Sequence, residues 1–245
     1  MLRPLLIALQ FLTVLPVRID GALDAKETGR SLLYYPIVGL LIGALLAAAL
    51  WVLGDAPPLI TAAVLLAPWV AVTGALHLDG LADSADAWVG GHGDRDKTLT
   101  IMKDPRSGPM AVVALILVLL IKFAALVQIL SNGAWELVVV APVLGRTALV
   151  LLFLTTPYVR HQGLGSVLAS HLPRRGCVLA IAFTLVAVVV FFESKAWWLL
   201  AVFAGVFIVL RRLMLRRIEG ATGDTAGALV EITETVVLLT AALMY

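Results

Sequence analysis

Long apolar runs alternate with short polar links along almost the whole chain. The runs stand at 36–53, 59–76, 109–130, 135–156, 177–192, 196–210 and 227–245. Several approach the ~20 residues an α-helix needs to cross the hydrocarbon core of a bilayer. The pattern predicts an all-α fold, a polytopic integral membrane helix bundle with about seven transmembrane helices in a single membrane-embedded domain, 1–245. The runs at 177–192 and 196–210 are the shortest and are parted only by Glu193-Ser194-Lys195. The first seventeen residues carry Pro4 and Pro16 and lack a small-residue cleavage site. They predict an N-terminal interfacial helix rather than a cleaved signal peptide.

Composition agrees. With 61% hydrophobic and 14% charged residues, and a mean hydropathy of +1.03, the chain is not an ordinary soluble domain. The net charge of +2 decides little, but its distribution decides much. Arg3, Arg18, Lys26 and Arg30 precede the first span, and Arg95, Lys97, Lys103 and Arg106 separate spans two and three. Arg160, Arg174 and Arg175 lie between four and five, and Arg211, Arg212, Arg216 and Arg217 between six and seven. The opposite loops hold only Lys195. The positive-inside rule then predicts a cytoplasmic N-terminus and an external C-terminus. The sole cysteine, Cys177, can form no intramolecular disulfide.

One polar stretch, His77 to Asp86, interrupts the apolar pattern at the end of the second run. It holds Asp79, Asp83 and Asp86. On a helix these positions differ by about 40° and −20°, so the three carboxylates share a face. Like charges that close repel unless a positive group stands among them. A divalent cation with oxygen ligands, Mg²⁺ or Mn²⁺, would serve, and little His or Cys is present for zinc. The alternative is a solvated acidic helix end. Next comes Gly90-Gly91-His92-Gly93, a flexible turn that matches no P-loop, then a short helix over 96–103 that Asp94 and Asp96 begin. Asp104-Pro105 cannot continue it, so Asp104 and Arg106 are expected in a bend facing the Asp cluster.

Ionisable residues inside the spans are costly and usually face a polar interior or a partner. Lys122 and Arg146 are such residues, with snorkelling the alternative for Lys122. In the last span, Thr222-Gly223-Asp224 opens a helix whose Asp224, Glu231 and Glu234 share one broad face. Asp224 and Glu231 are expected to face the cavity of the central Asp cluster, with Arg146, Lys122 or a second metal as compensation. Acids for metals, metals for a diphosphate, and bases for the remaining charge describe a phosphoryl-transfer site.

CDP-alcohol phosphotransferases also align Asp on membrane helices, but their D-x2-D-G-x2-A-R motif is not met: no Ala-Arg pair follows Asp79-Gly80. A cation-coupled transporter using Lys122, Glu231 and Glu234 is the alternative of another class. It is disfavoured because the acids gather at one end and no repeat is visible. The chain more closely resembles the cobalamin synthase family, the adenosylcobinamide-GDP ribazoletransferases. The matching pieces are Phe11-Leu12-Thr13 with Leu15-Pro16-Val17, Tyr35-Pro36 with Val38-Gly39, and the whole of Thr73 to Asp86. Ile101-Met102-Lys103-Asp104 with Arg106 and Gly108, and Thr222-Gly223-Asp224 with Gly227, Ala228 and Glu231, complete the set. Pro105 and Pro109-Met110 depart from the family's pattern.

This resemblance implies a transferase that joins adenosylcobinamide-GDP to α-ribazole or its 5′-phosphate, by attack of the ribazole 5′-oxygen, and releases GMP with Mg²⁺ (Mn²⁺ as substitute). It implies metal ligation by Asp79, Asp83, Asp86 and Asp224, and catalytic roles for His77, Asp79, Asp83, Asp86 and Asp104. Lys103, Arg106, Arg146, Asp224 and Glu231 would bind substrate. The expected setting is the cytoplasmic (inner) membrane of a bacterium or archaeon, with the lipid bilayer as partner, no nucleic acid, and a homo-oligomer left open.

Overall fold

A computed structural model describes residues 2–245. Its elements are α1 (Leu2–Leu12), α2 (Ala25–Ser31), α3 (Tyr35–Leu53), α4 (Pro58–Val72), α5 (Leu76–Gly90) and α6 (Arg95–Ile101). They continue with α7 (Pro109–Ser131), α8 (Glu136–Thr155), α9 (Leu164–His171), α10 (Arg174–Ile218) and α11 (Gly223–Ala242). The described residues contain no strand beyond one isolated bridge, so the protein is an all-helical membrane bundle. Local chemistry starts the helices as expected. Asp24 and Asp94 accept from the backbone N–H of Glu27 and Lys97, and Thr222 forms a capping box with Thr225. Prolines open α3, α4 and α7, where a missing N–H costs nothing.

α8 and α11 form the centre: 72% and 78% of their most apolar stretches are buried, against 22% for α7 and α10. α3 closes on α8 through Gly39 and Gly43, where an added Cβ would stand 2.4 Å from the Pro142 carbonyl oxygen and 2.7 Å from Val139. Trp51, Trp135, Trp197 and Trp198 are exposed at the end away from the Asp cluster, in the manner of an interfacial aromatic belt.

Two expected spans are built differently. The run at 59–76 ends as a helix at Val72, and α5 leaves α4 at 87°. Gly74 and Ala75 take left-handed backbone angles at the corner, φ 58° and 55°. The runs at 177–192 and 196–210 are joined in α10, broken only at Glu193 (φ 47°, ψ −120°). A straight helix would part Arg174 from Arg211 by about 55 Å. Yet Arg174 donates to the Leu154 carbonyl, and Arg211 to Thr155 and Thr156. α10 therefore folds back at Glu193 and makes two passes. Five helices among the described residues are long and apolar enough to cross a membrane. With the second arm of α10 and the bent α4–α5 pair counted as one pass, the seven expected passes are present.

Candidate active site

The corner at Gly74-Ala75 swings α5 across the first turns of α11, and two glycines let the helices touch. A Cβ on Gly80 would lie 2.7 Å from the Asp224 carbonyl oxygen, and one on Gly227 would lie 3.1 Å from that of His77. This contact brings Asp79 of α5 and Asp224 of α11 into one cavity of about 220 Å³, whose wall also includes His77, Tyr35 and Tyr158. Asp83 is one turn further along α5. It feels the negative charges of Asp79, Asp224 and Asp86, opposed by Arg160. Asp79 and Asp224, 145 positions apart in sequence, thus line one cavity, with Asp83 beside them.

Asp86 shares that face but has another task. Its two oxygens accept from the backbone N–H of Gly108 at 2.5 Å and of Ala111 at 3.0 Å, which caps α7. That is a correction to its expected place among metal ligands: helix periodicity says which way Asp86 projects, and the start of α7 stands there. Four orphan N–H groups at a helix start draw a carboxylate strongly.

A residue absent from the sequence-based site is Arg160. Its Nη2 donates to the Asp224 carboxylate at 2.5 Å. The loop holding it is pinned by Val159 N–H to the Ala221 carbonyl, 3.0 Å, and Ala221 N–H to the Pro157 carbonyl, 2.8 Å. Tyr158 stacks on Phe153 with ring centroids 5.8 Å apart, and burial pushes its hydroxyl pKa up, with Arg160 opposing. Only the bulk positive charge of this loop was legible in sequence, not its fold over Asp224.

Beneath the cavity lies a closed ion network. Lys122 donates to Glu231 and Glu234, both at 2.6 Å, and sits 5.0 Å from the Trp69 ring centre. Arg146 pairs with Glu234 and places its Nη2 3.5 Å from His77 Nδ1. Lys122 does not snorkel, since only 3% of it is exposed. Arg146 and Glu231, expected at the substrate, stand inside the bundle with 0% and 5% exposure and their charges matched. Glu231 does not line the cavity, which corrects that expectation: a lysine one helix away compensates it, so no metal is needed there. His77 is buried too, and its ring leans on the network through Arg146.

Asp104 and Arg106 do not turn to the Asp cluster. They grip each other in the exposed bend, Nε to Oδ1 at 2.9 Å and Nη2 to Oδ2 at 2.7 Å. The Arg106 hydrogen bonds hold the Asp104 carboxyl at about 2, below the usual carboxylate range. Lys103 is exposed beside them. Among the described residues no three carboxylate, imidazole or thiolate groups come together as a ready metal cage. The donor set still suits Mg²⁺, which keeps several waters and is commonly held by one or two carboxylates plus substrate phosphates. Asp79, Asp83 and Asp224 offer oxygen donors of that kind.

Comparison with known proteins follows the same direction. The cobalamin-5-phosphate synthase family matches residues 4–242. A protein of Pseudomonas entomophila (strain L48) named adenosylcobinamide-GDP ribazoletransferase is 56% identical over 241 residues, covering 98% of this chain and 99% of its own. Proteins of that name from Pseudomonas putida (strain W619) and Pseudomonas aeruginosa (strain PAO1) are 56% and 55% identical, over 98% and 99% of this chain and 98% of each relative. No solved structure matches the chain.

Proposed function

The chain belongs to the cobalamin-5-phosphate synthase family, and we propose that it transfers the cobinamide phosphoryl group of adenosylcobinamide-GDP to α-ribazole or α-ribazole 5′-phosphate, releasing GMP. The observation that carries this reading is the joining of Asp79 and Asp224 in one cavity, with Asp83 beside them and Arg160 as the nearest cation. A surplus of carboxylates suits a diphosphate only if a cation arrives with it, so Mg²⁺, with Mn²⁺ as substitute, is part of the proposal. Carboxylates drawn from Asp79, Asp83 and Asp224 would hold it together with substrate phosphates, and it would neutralise the diphosphate and the leaving phosphate.

The family's name speaks of a 5-phosphate on the product, so the ribose 5′-oxygen already carries phosphate in that form of the acceptor. A different, free ribose hydroxyl is therefore the nucleophile, in place of the 5′-oxygen expected from the sequence. Its oxygen bonds to the phosphorus attached to cobinamide while the bond from that phosphorus to the bridging oxygen breaks. GMP departs with that oxygen. The hydroxyl proton goes to a carboxylate of the Asp79–Asp83 face, since the His77 ring leans inward on Arg146. Arg160 steadies Asp224, and Lys103 and Arg106 draw phosphates to the mouth through long-range charge.

The basic loops gather at this end of the bundle, which supports a cytoplasmic site in a bacterial or archaeal inner membrane. Inverted membrane vesicles test reaction, metal and orientation together. They should release GMP from added adenosylcobinamide-GDP and α-ribazole, stop with a chelator and resume with Mg²⁺. Right-side-out vesicles should stay silent until permeabilised. Release from intact right-side-out vesicles would reverse the orientation, and no release from either would reject the reaction.

A further inference from the structure

On the side of α5 opposite the acids is a second cavity, about 240 Å³, between α5, the returning arm of α10 and α11. Leu81, Ser84 and Trp88 line it from α5. Their helical angles centre about 180° from those of Asp79, Asp83 and Asp86. From α10 comes Leu213, 42% exposed, which forms the outer lip. On α11 the wall runs from Thr225 to Ile232, about 10 Å along the helix.

A polar group, Ser84, lies in this apolar wall, and another, Arg217, stands outside it against Trp88. The Ser84 side chain is buried, 7% exposed, yet its hydroxyl has no hydrogen-bond partner. One turn away, Arg217 lies over Trp88, 5.4 Å from the ring centre, and donates through Nη2 to the Trp88 carbonyl at 2.6 Å. Its Nη1 is buried and unpartnered. A buried donor left unpaired is costly, so each group calls for an acceptor. The needed ligand has a phosphate at the Arg217 end, an ester or hydroxyl about 6 Å deeper beside Ser84, and a chain for the apolar slot. Arg212 and Arg216, exposed on the same helix end, add positive charge around the phosphate.

We propose that this groove binds one anionic glycerophospholipid, phosphate on Arg217 and acyl chain along α11. Charge complementarity selects an anionic over a zwitterionic head group, as at basic pockets between membrane helices. The lipid braces α5 from behind and so holds the acid face toward α11.

Native mass spectrometry of the full-length protein, incubated with equal phosphatidylglycerol and phosphatidylcholine, tests this without any activity assay. The expected result is one retained phosphatidylglycerol that excess inorganic phosphate does not displace. Arg217→Gln should lower the preference for phosphatidylglycerol about fivefold, on the basis of ~1 kcal/mol per basic residue near such a head group. Arg212→Gln should lower it less, since that side chain is exposed rather than seated on Trp88. Ala228→Leu, which fills the slot, should lose both lipids. Equal retention of the two lipids by the wild-type protein, or an unchanged preference in Arg217→Gln, would overturn the proposal. So would displacement of the lipid by α-ribazole or by inorganic phosphate. If Ala228→Leu does not fold, Arg217→Gln alone decides, because its position is partly exposed.

Discussion

Two groups of charges stand within a few helix turns of each other and obey opposite rules. In the bundle interior, Lys122 and Arg146 meet Glu231 and Glu234, two bases for two acids, all nearly inaccessible. In and beside the cavity above, Asp79, Asp83 and Asp224 stand with one arginine, Arg160, which pairs with Asp224 and acts on Asp83. The first group is complete in itself and fastens α7, α8 and α11 together. The second is left in deficit and open, which is the arrangement a cationic partner completes. The lesson is that acidity alone does not mark a site in a membrane bundle; unmatched acidity does.

Breaking the closed group should have the largest effect. Glu234→Gln strands Arg146 in the interior and is expected to cost about 3–5 kcal/mol, as for other broken buried pairs. Thermal unfolding in detergent would register the loss. Replacing Lys122 and Glu231 together by Met and Leu should cost far less, because charge leaves in matched amounts. If both variants melt alike, the network is not what fastens the helices.

Asp83→Asn attacks the open group and should reverse the pattern. Turnover is expected to fall by about 10²–10³-fold, as when one electrostatic contributor is removed from an active site. The melting temperature should hold or rise, since one of several repelling carboxylates is gone. Normal GMP release at ordinary Mg²⁺ would remove Asp83 from the site. Asp86→Asn draws the boundary between the two kinds of carboxylate. Asparagine keeps one acceptor for the two α7 N–H groups, so stability should fall by about 1 kcal/mol for the cap while turnover changes little. A loss of activity as large as that of Asp83→Asn would return Asp86 to the metal.

The smallest effect concerns acid titration. Asp104 is held at about 2 by Arg106, so its pairing is fully present above the ordinary carboxylate range and is lost only as pH falls through that value. The acid limb of a pH–kcat/KM profile must then belong to another group. Asp104→Asn should leave the midpoint of that limb unmoved, and a displaced midpoint would place Asp104 among the titrating groups of the open cluster.

Much of this was legible in the residues. Apolar run lengths located α3, α7, α8 and α11 within a few residues, and the shared face of Asp79 and Asp83 and the start of α11 at Asp224 were visible from spacing. In-span Lys122, Arg146 and Glu231 announced their need for partners, but periodicity cannot say which helix supplies them. The corner at Gly74-Ala75 was hidden because apolar character continues through it to Leu76. Glu193 gave no turn signal beyond its polarity, since a non-glycine residue at φ 47° is rare. Arg160 was counted only as loop charge, because its place depends on the pairing of 157–159 with Ala221.

The fold-back at Glu193 has a consequence for modularity. A hairpin that leaves and returns to residues 154–156 adds two passes and so preserves parity: the sidedness of α11, and with it of Asp224, is the same whether the hairpin is counted or not. Length changes at its far tip, around Glu193 and Ser194, therefore leave the register of every other span intact. Changes at Gly74-Ala75 have no such freedom, because that corner is passed once and aims the acidic helix.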